Sequence, residues 1–191
     1  MADFEQALTK TENAEGQFFF NRKTGEIVNR GITISTLIAL HLLPADILTA
    51  YQAYKSDGNY GHLDSVFAYM KSRTPEEDAE FYQANYWNEI RGDDILDQAL
   101  ANKVFDIAVN QGLGSSVRLL QQAVNDLQLG GAQLTVDGEI GPHTLAAVNA
   151  LPASSLLTQF KSLVEARYRQ IAASNPALAG DLEGWLARLN S

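Results

Sequence analysis

The chain has 191 residues, 46% of them apolar, which suits one domain or a domain with a small appendage and leaves ample material for a buried core; a disordered or fibrous protein is excluded. With 14 Lys plus Arg against 23 Asp plus Glu, the net charge is -9 and the pI about 4.7, so the long-range field repels polyanions and excludes nucleic acid as a partner. There is no cysteine, which removes disulfides, thiol nucleophiles and thiolate metal sites together. The start, "MADFEQALTK", lacks a basic stretch followed by an apolar core, and no apolar run approaches the roughly 18 residues of a membrane span. The expectation is a protein without a signal peptide, made in the cytoplasm.

Most of the chain reads as helix. Asp3 with Gln6 makes a capping-box pattern, and Phe4, Ala7, Leu8 and Thr11 follow a helical stripe that should run to Ala14 or Glu15 and stop at Gly16. "QFFF" and "EIVN" flank the polar turn "NRKTG", so Gln17 to Asn29 reads as a hairpin. Ser35 is the expected cap of an apolar run ending near Leu43, and Pro44 leads into "ADILTAYQAYK". "SDGNYGH" reads as loop. Thr74, Pro75 and Glu77 form a second capping box, and "RGDD" separates that helix from one through Ile95 to Asn110. After "QGLGSS", Ser115 or Ser116 should cap a helix bearing Val117, Leu120, Val124 and Leu127. A Gly-rich loop follows, then helices from Pro142 and around Leu157 to Ile171, and a short last helix after "SNPALAGDLEGW". The expected architecture is mostly α, a helical domain with one small β-hairpin near the N-terminus, divided into residues 1–111 and a C-terminal helical region, 112–191, packed as one unit with the first.

One carboxylate stands out. A projection at about 100° per residue puts Glu15 on the apolar stripe of the first helix, whereas Glu5 and Glu12 lie off it. Desolvation there and the negative end of the helix dipole both disfavour the carboxylate form, which should raise its pKa. A carboxylic acid kept protonated beside a hairpin is what proton donation to a glycosidic oxygen requires. The alternative is a helix-terminal Glu making a local hydrogen bond. Glycosidases normally add a second carboxylate, and Glu26 is the acidic residue of the hairpin; strand alternation also allows it to be a solvated outward residue.

The stretches "AEGQF" (14–18), "NRGIT" (29–33), "YWNEIRGDDI" (86–95), "FDIAVNQG" (105–112), "VRLLQQAV" (117–124), "VDGEIGPHTLAAV" (136–148) and "GWLARL" (184–189) occur in an order that resembles the bacterial and phage N-acetylmuramidases with a lysozyme-like fold, long described as secretion-activating proteins. That resemblance implies a lysozyme-like helical domain, cleavage of the β-1,4 bond between N-acetylmuramic acid and N-acetylglucosamine, and Glu15 as the catalytic acid. The chain departs from the family's Glu-Gly-Gly-Tyr motif at Gln17 and Phe18, and "NRKTGEIV" replaces its acidic stretch. Three alternatives follow: Glu26 supplies the second group, hydroxyl and amide groups such as Thr24 and Asn29 position a water instead, or turnover is impaired.

Other residues suit a sugar cleft. Tyr86 and Trp87 offer aromatic faces for pyranose rings, or a Trp closing the core. Asn110, at i, i+4 from Asp106, offers an amide for an N-acetyl group, while Asp106 suits a structural role. Residues 117 to 151 also resemble peptidoglycan-binding modules, with Asp137 and Gly138 forming a turn. His41, His62 and His143 are too dispersed for a metal site, and no cofactor is expected. The implied partner is the peptidoglycan glycan strand, reached through a holin or a secretion apparatus, the latter with an immunity protein. The acidic pI argues against simple electrostatic capture by an anionic wall. The rival readings are a non-catalytic wall-binding protein on the same fold and a lytic transglycosylase.

Overall fold

The computed structural model describes residues 1–12, 18–128 and 131–191, except for the side chain of Glu12. It is mostly helical, with one small antiparallel sheet near the N-terminus. No helix among the described residues is long and apolar enough to cross a membrane. The chain forms two compact units, residues 12–81 and residues 1–11 with 82–191.

In the smaller unit, strands β1 (Phe19–Phe20), β2 (Ile27–Asn29) and β3 (Ile32–Thr33) pair in that order. The hairpin expected over 17–29 is therefore two strands of a three-stranded sheet. The third is too short to show alternation, but its turn is well defined: Arg30 and Gly31 both take positive φ, 43° and 77°, the two-residue connection whose twist matches that of the strands. Chain passes straight from β3 into α2 (Ile34–Ala39), so extended Thr33, not Ser35, is the cap; its Oγ1 accepts the Thr36 N–H at 3.0 Å. Then come α3 (Ala45–Asp57), α4 (Leu63–Ser72) and α5 (Pro75–Tyr82). The capping box of α5 is present in both directions: Thr74 N–H donates to Glu77 Oε2 at 2.8 Å, and Glu77 N–H to Thr74 Oγ1 at 3.2 Å. Ile27, Ile32, Ile34, Leu37, Leu63, Val66 and Met70 form this unit's core.

A polar tie holds the β2–β3 turn. Asp78, 1% exposed, accepts Arg30 Nε at 2.7 Å and Arg73 Nε at 2.8 Å, one on each oxygen. Asn29 donates to the Met70 carbonyl at 2.8 Å. Asp78→Asn removes a charge that two guanidiniums face. Because Arg30 is one-third exposed and Arg73 about a tenth, water replaces part of the loss, and we expect about 2 kcal/mol of destabilisation in a chemical denaturation series. An unchanged midpoint would show that the tie contributes nothing net.

In the larger unit, α1 (Phe4–Glu12) starts as expected, Asp3 Oδ1 accepting the Gln6 N–H at 3.0 Å; its expected end at Ala14 to Gly16 lies outside the described residues. Phe4 packs 5.8 Å from the Trp87 ring and 6.0 Å from that of Phe105. Helix α6 (Gln98–Gln111) is buried without a break from Leu100 to Ala108. It begins later than expected because Asp97 caps it, accepting the Leu100 N–H at 2.8 Å. Helices α7 (Leu113–Leu127) and α9 (Ala153–Ser174) pack against it, with α8 (Pro142–Ala150) and α10 (Leu182–Asn190) completing the unit. Helix α7 starts at Leu113, and Ser116 is no cap: fully buried, it donates to the Val104 carbonyl of α6 at 2.8 Å. On the same helix, Asp106 takes Arg188 Nε of α10 at 2.9 Å and Lys103 Nζ at 3.4 Å, and Lys103 also donates to the Arg188 carbonyl at 3.0 Å. Burial pulls the Lys103 ammonium below its usual pKa range, against the opposing pull of Asp106.

Candidate active site

Glu15, the expected acid, lies outside the described residues, as does Gln17. The neighbouring sheet is described in full from Phe18. Strand alternation splits the aromatic run: Phe18 and Phe20 turn to Phe67, at 5.6 and 5.2 Å, and Phe20 also meets Tyr54 and Tyr60. Phe19, opposite Val28, stays 58% exposed. Lys71 Nζ sits 4.5 Å over the Phe18 ring.

The turn between β1 and β2 is built from its own side chains. Asn21 Oδ1 accepts the N–H groups of Lys23 and Thr24, and Gly25 takes φ 78°, a left-handed conformation that favours glycine; an added Cβ would also sit tightly, 3.2 Å from the Tyr54 ring. Thr24 Oγ1 accepts the Glu26 N–H at 3.2 Å, and its carbonyl accepts Lys55 Nζ at 2.8 Å. Glu26 is half-buried, and both its oxygens go to one partner. Oε1 accepts the Ser35 N–H at 3.1 Å and Oε2 the Ser35 hydroxyl at 2.5 Å, which places a carboxylate on the first turn of α2. Burial, and then the charge of Glu26, push the Tyr51 phenol above its usual pKa. To attack a sugar or activate water, Glu26 would have to release Ser35.

Asn29, expected to position water, is buried, with its amide committed to Met70; burial makes that amide a tie between β2 and α4. Thr24, Glu26 and Asn29 thus share the smaller unit, and Tyr86, Trp87 and Asn110 belong to the larger one.

Trp87, expected as a sugar platform, is fully buried, so no ring face is open to a ligand. Phe4 and Phe105 stand 5.8 Å from it, and its Nε1 donates to Asp93 at 2.8 Å. Its role is the core. Tyr86 is half-buried, 6.0 Å from Tyr82, with its phenol pushed up by burial. Asn110 is exposed near the end of α6; its Oδ1 accepts the Tyr168 hydroxyl at 3.3 Å, which leaves the amide nitrogen for donation. The Tyr168 ring in turn stacks on Trp185 at 5.3 Å, a pairing across 17 residues that periodicity does not reveal.

The family model for glycosyl hydrolase 108 matches residues 8–112, more than half of the chain. The chain belongs to the glycosyl hydrolase 108 family. A second model, the predicted peptidoglycan domain, matches residues 115–190. This glycosyl hydrolase 108 member is therefore a glycoside hydrolase of the peptidoglycan-degrading class, with a lysozyme-like, mostly helical fold. No curated protein matches it. A solved structure, SagA of Brucella abortus, is similar at 25% identity and a TM-score of 0.70, over 98% of this chain and 89% of that one.

Proposed function

We propose that this glycosyl hydrolase 108 member is an N-acetylmuramidase that cleaves the β-1,4 bond between N-acetylmuramic acid and N-acetylglucosamine, with Glu15 as general acid. The observation that supports it is the match to the family over residues 8–112, a range that includes Glu15. The Glu15 carboxyl passes its proton to the glycosidic oxygen as the C–O bond breaks, and water adds to the anomeric carbon. The C-terminal region holds the strand during this step. Digestion of purified peptidoglycan by the wild-type protein, with products weighed by mass spectrometry, tests the reading. Muropeptides ending in hydrated N-acetylmuramic acid support it. Anhydro ends, one water lighter, identify a lytic transglycosylase, and no release on any wall leaves a binding protein.

The transglycosylase has an observation in its favour, because the hairpin carboxylate is already occupied. Glu26→Gln separates the roles. As a cap on α2 it should cost less than tenfold in rate and about 1 kcal/mol or less in stability. A rate loss of about 10²-fold or more with stability unchanged would make Glu26 the second catalytic carboxylate.

A further inference from the structure

The larger unit carries a second polar feature, remote in sequence from the hairpin. Ser115, Arg118, Leu119 and Gln122 of α7, Val136 of the following loop and Arg167 of α9 line a depression of about 390 Å³. In a chain of net charge -9, this lining holds two guanidiniums and no carboxylate. Each arginine bonds a neutral acceptor. Arg118 donates to the Asp137 carbonyl at 3.0 Å and Arg167 to Gln111 Oε1 at 2.8 Å, and among the described residues neither lies within ion-pair distance of an acid.

Asp137, Asp126 and Glu165 are engaged by other groups, Glu165 by Arg169. Asp137 Oδ1 receives Gln121 Nε2 at 2.7 Å and the Glu139 N–H at 2.9 Å; these bonds, more than the charge of Arg118, hold its carboxyl below the usual range. Asp126 receives the amides of Gln122 and Gln159 at 2.7 and 2.8 Å. Arg188, by contrast, is spent on buried Asp106. Two exposed guanidiniums that keep donors in reserve, beside a hydroxyl, an amide and the apolar Leu119 and Val136, suit an anion with an aliphatic part. Ser115 stands in the first turn of α7, where no side chain caps the helix, and this adds positive potential.

We infer that this depression is a carboxylate-binding site for the stem peptide of peptidoglycan. The assignment rests on the peptidoglycan reading above and adds which part of the polymer is recognised. In peptidoglycan the lactyl carboxyl of N-acetylmuramic acid is amide-bonded to the stem peptide, so the peptide supplies the free carboxylates, and it combines them with alanine methyl groups. Arg118 and Arg167 take a carboxylate through paired N–H donors, and Leu119 and Val136 take the aliphatic side.

The test uses the full-length protein and a purified disaccharide-tetrapeptide muropeptide that no longer contains the scissile bond, so binding is read apart from hydrolysis. Titration calorimetry should show binding that weakens with salt, and a loss of about tenfold or more with Arg167→Gln, with amidated peptide carboxylates, or with the peptide-free disaccharide whose lactyl carboxyl is amidated. Arg118→Gln should do the same, but Arg118 also fastens the loop at Asp137; Arg167, which among the described residues bonds the Gln111 side chain alone, keeps the test independent of folding. Equal affinity for the lactyl-amidated, peptide-free disaccharide, or an unchanged Arg167→Gln, would overturn the assignment. Displacement of the muropeptide by equimolar inorganic phosphate would also overturn it, in favour of a phosphate-bearing polymer. If binding fails while the wild type still releases muropeptides, only this assignment falls; if release fails while binding persists, only the hydrolase reading falls.

Discussion

Glu15→Gln is expected to lower muropeptide release by about 10²- to 10⁴-fold while leaving the melting temperature within a few degrees of wild type. The amide is nearly isosteric with the acid and still donates a hydrogen bond, but it cannot release a proton to the departing oxygen. The rate of a general acid of this type also falls at high pH, where the carboxyl ionises. A wild-type profile that falls on the alkaline side, and a residual Glu15→Gln activity without that limb, would together assign the proton to this residue. Retention of more than about a tenth of the rate would remove Glu15 from the chemistry and redirect the search to other carboxylates of the matched region.

The second large effect is expected far from any proton transfer. A Cβ added at Gly92 would lie 2.3 Å from Cδ2 and Cε2 of Trp87 and 2.6 Å from Cε3. The indole cannot yield: it is fully buried, flanked by Phe4 and Phe105, and pinned through Nε1 to Asp93. Gly92→Ala therefore overpacks a rigid site and should cost about 3 kcal/mol or more, a drop of roughly 10 °C in Tm for a chain of this size. Gly184 of α10, where an added methyl meets nothing within 4 Å, is the internal control. Alanine there should be neutral or stabilising by up to about 1 kcal/mol. Equal melting temperatures for the two variants would mean that the Trp87 pocket has slack, and the indole could then turn toward a ligand after all.

What the sequence made legible follows the range of each interaction. The caps at Asp3 and at Thr74 with Glu77, and the turn at Asp137 and Gly138, close within three residues, so residue type and spacing were enough. Helix α4 has no expectation in the sequence reading, which passes from the loop "SDGNYGH" to the cap at Thr74, although Leu63, Val66 and Met70 stand at helical spacing and are fully buried. The caps of α2 and α7 were misplaced because a serine near an expected helix start signals a cap only when nothing else claims it. Glu26 claims Ser35, and the Val104 carbonyl claims Ser116.

The site residues divide in the same way. Glu15 was singled out by a local projection and by the order of short motifs. For Trp87 the sequence leaves both a sugar platform and the core open, and for Asn29 it suggests an amide that positions water; their partners, Phe105 and Met70, lie 18 and 41 residues away, beyond the reach of local spacing. Arg118 and Arg167 could not have been paired from sequence, because the depression they share exists only once α9 lies along α7.

The lock between α6 and α10 sets an order of events at the ribosome. Asp106 and Lys103 are translated 82 and 85 residues before Arg188, which meets the carboxylate of one and the ammonium of the other. At ordinary synthesis rates that interval is on the order of ten seconds, during which Asp106 and Lys103, 3.4 Å apart on α6, lack the partner that α10 supplies. The contact between α6 and α10 is therefore among the last to form.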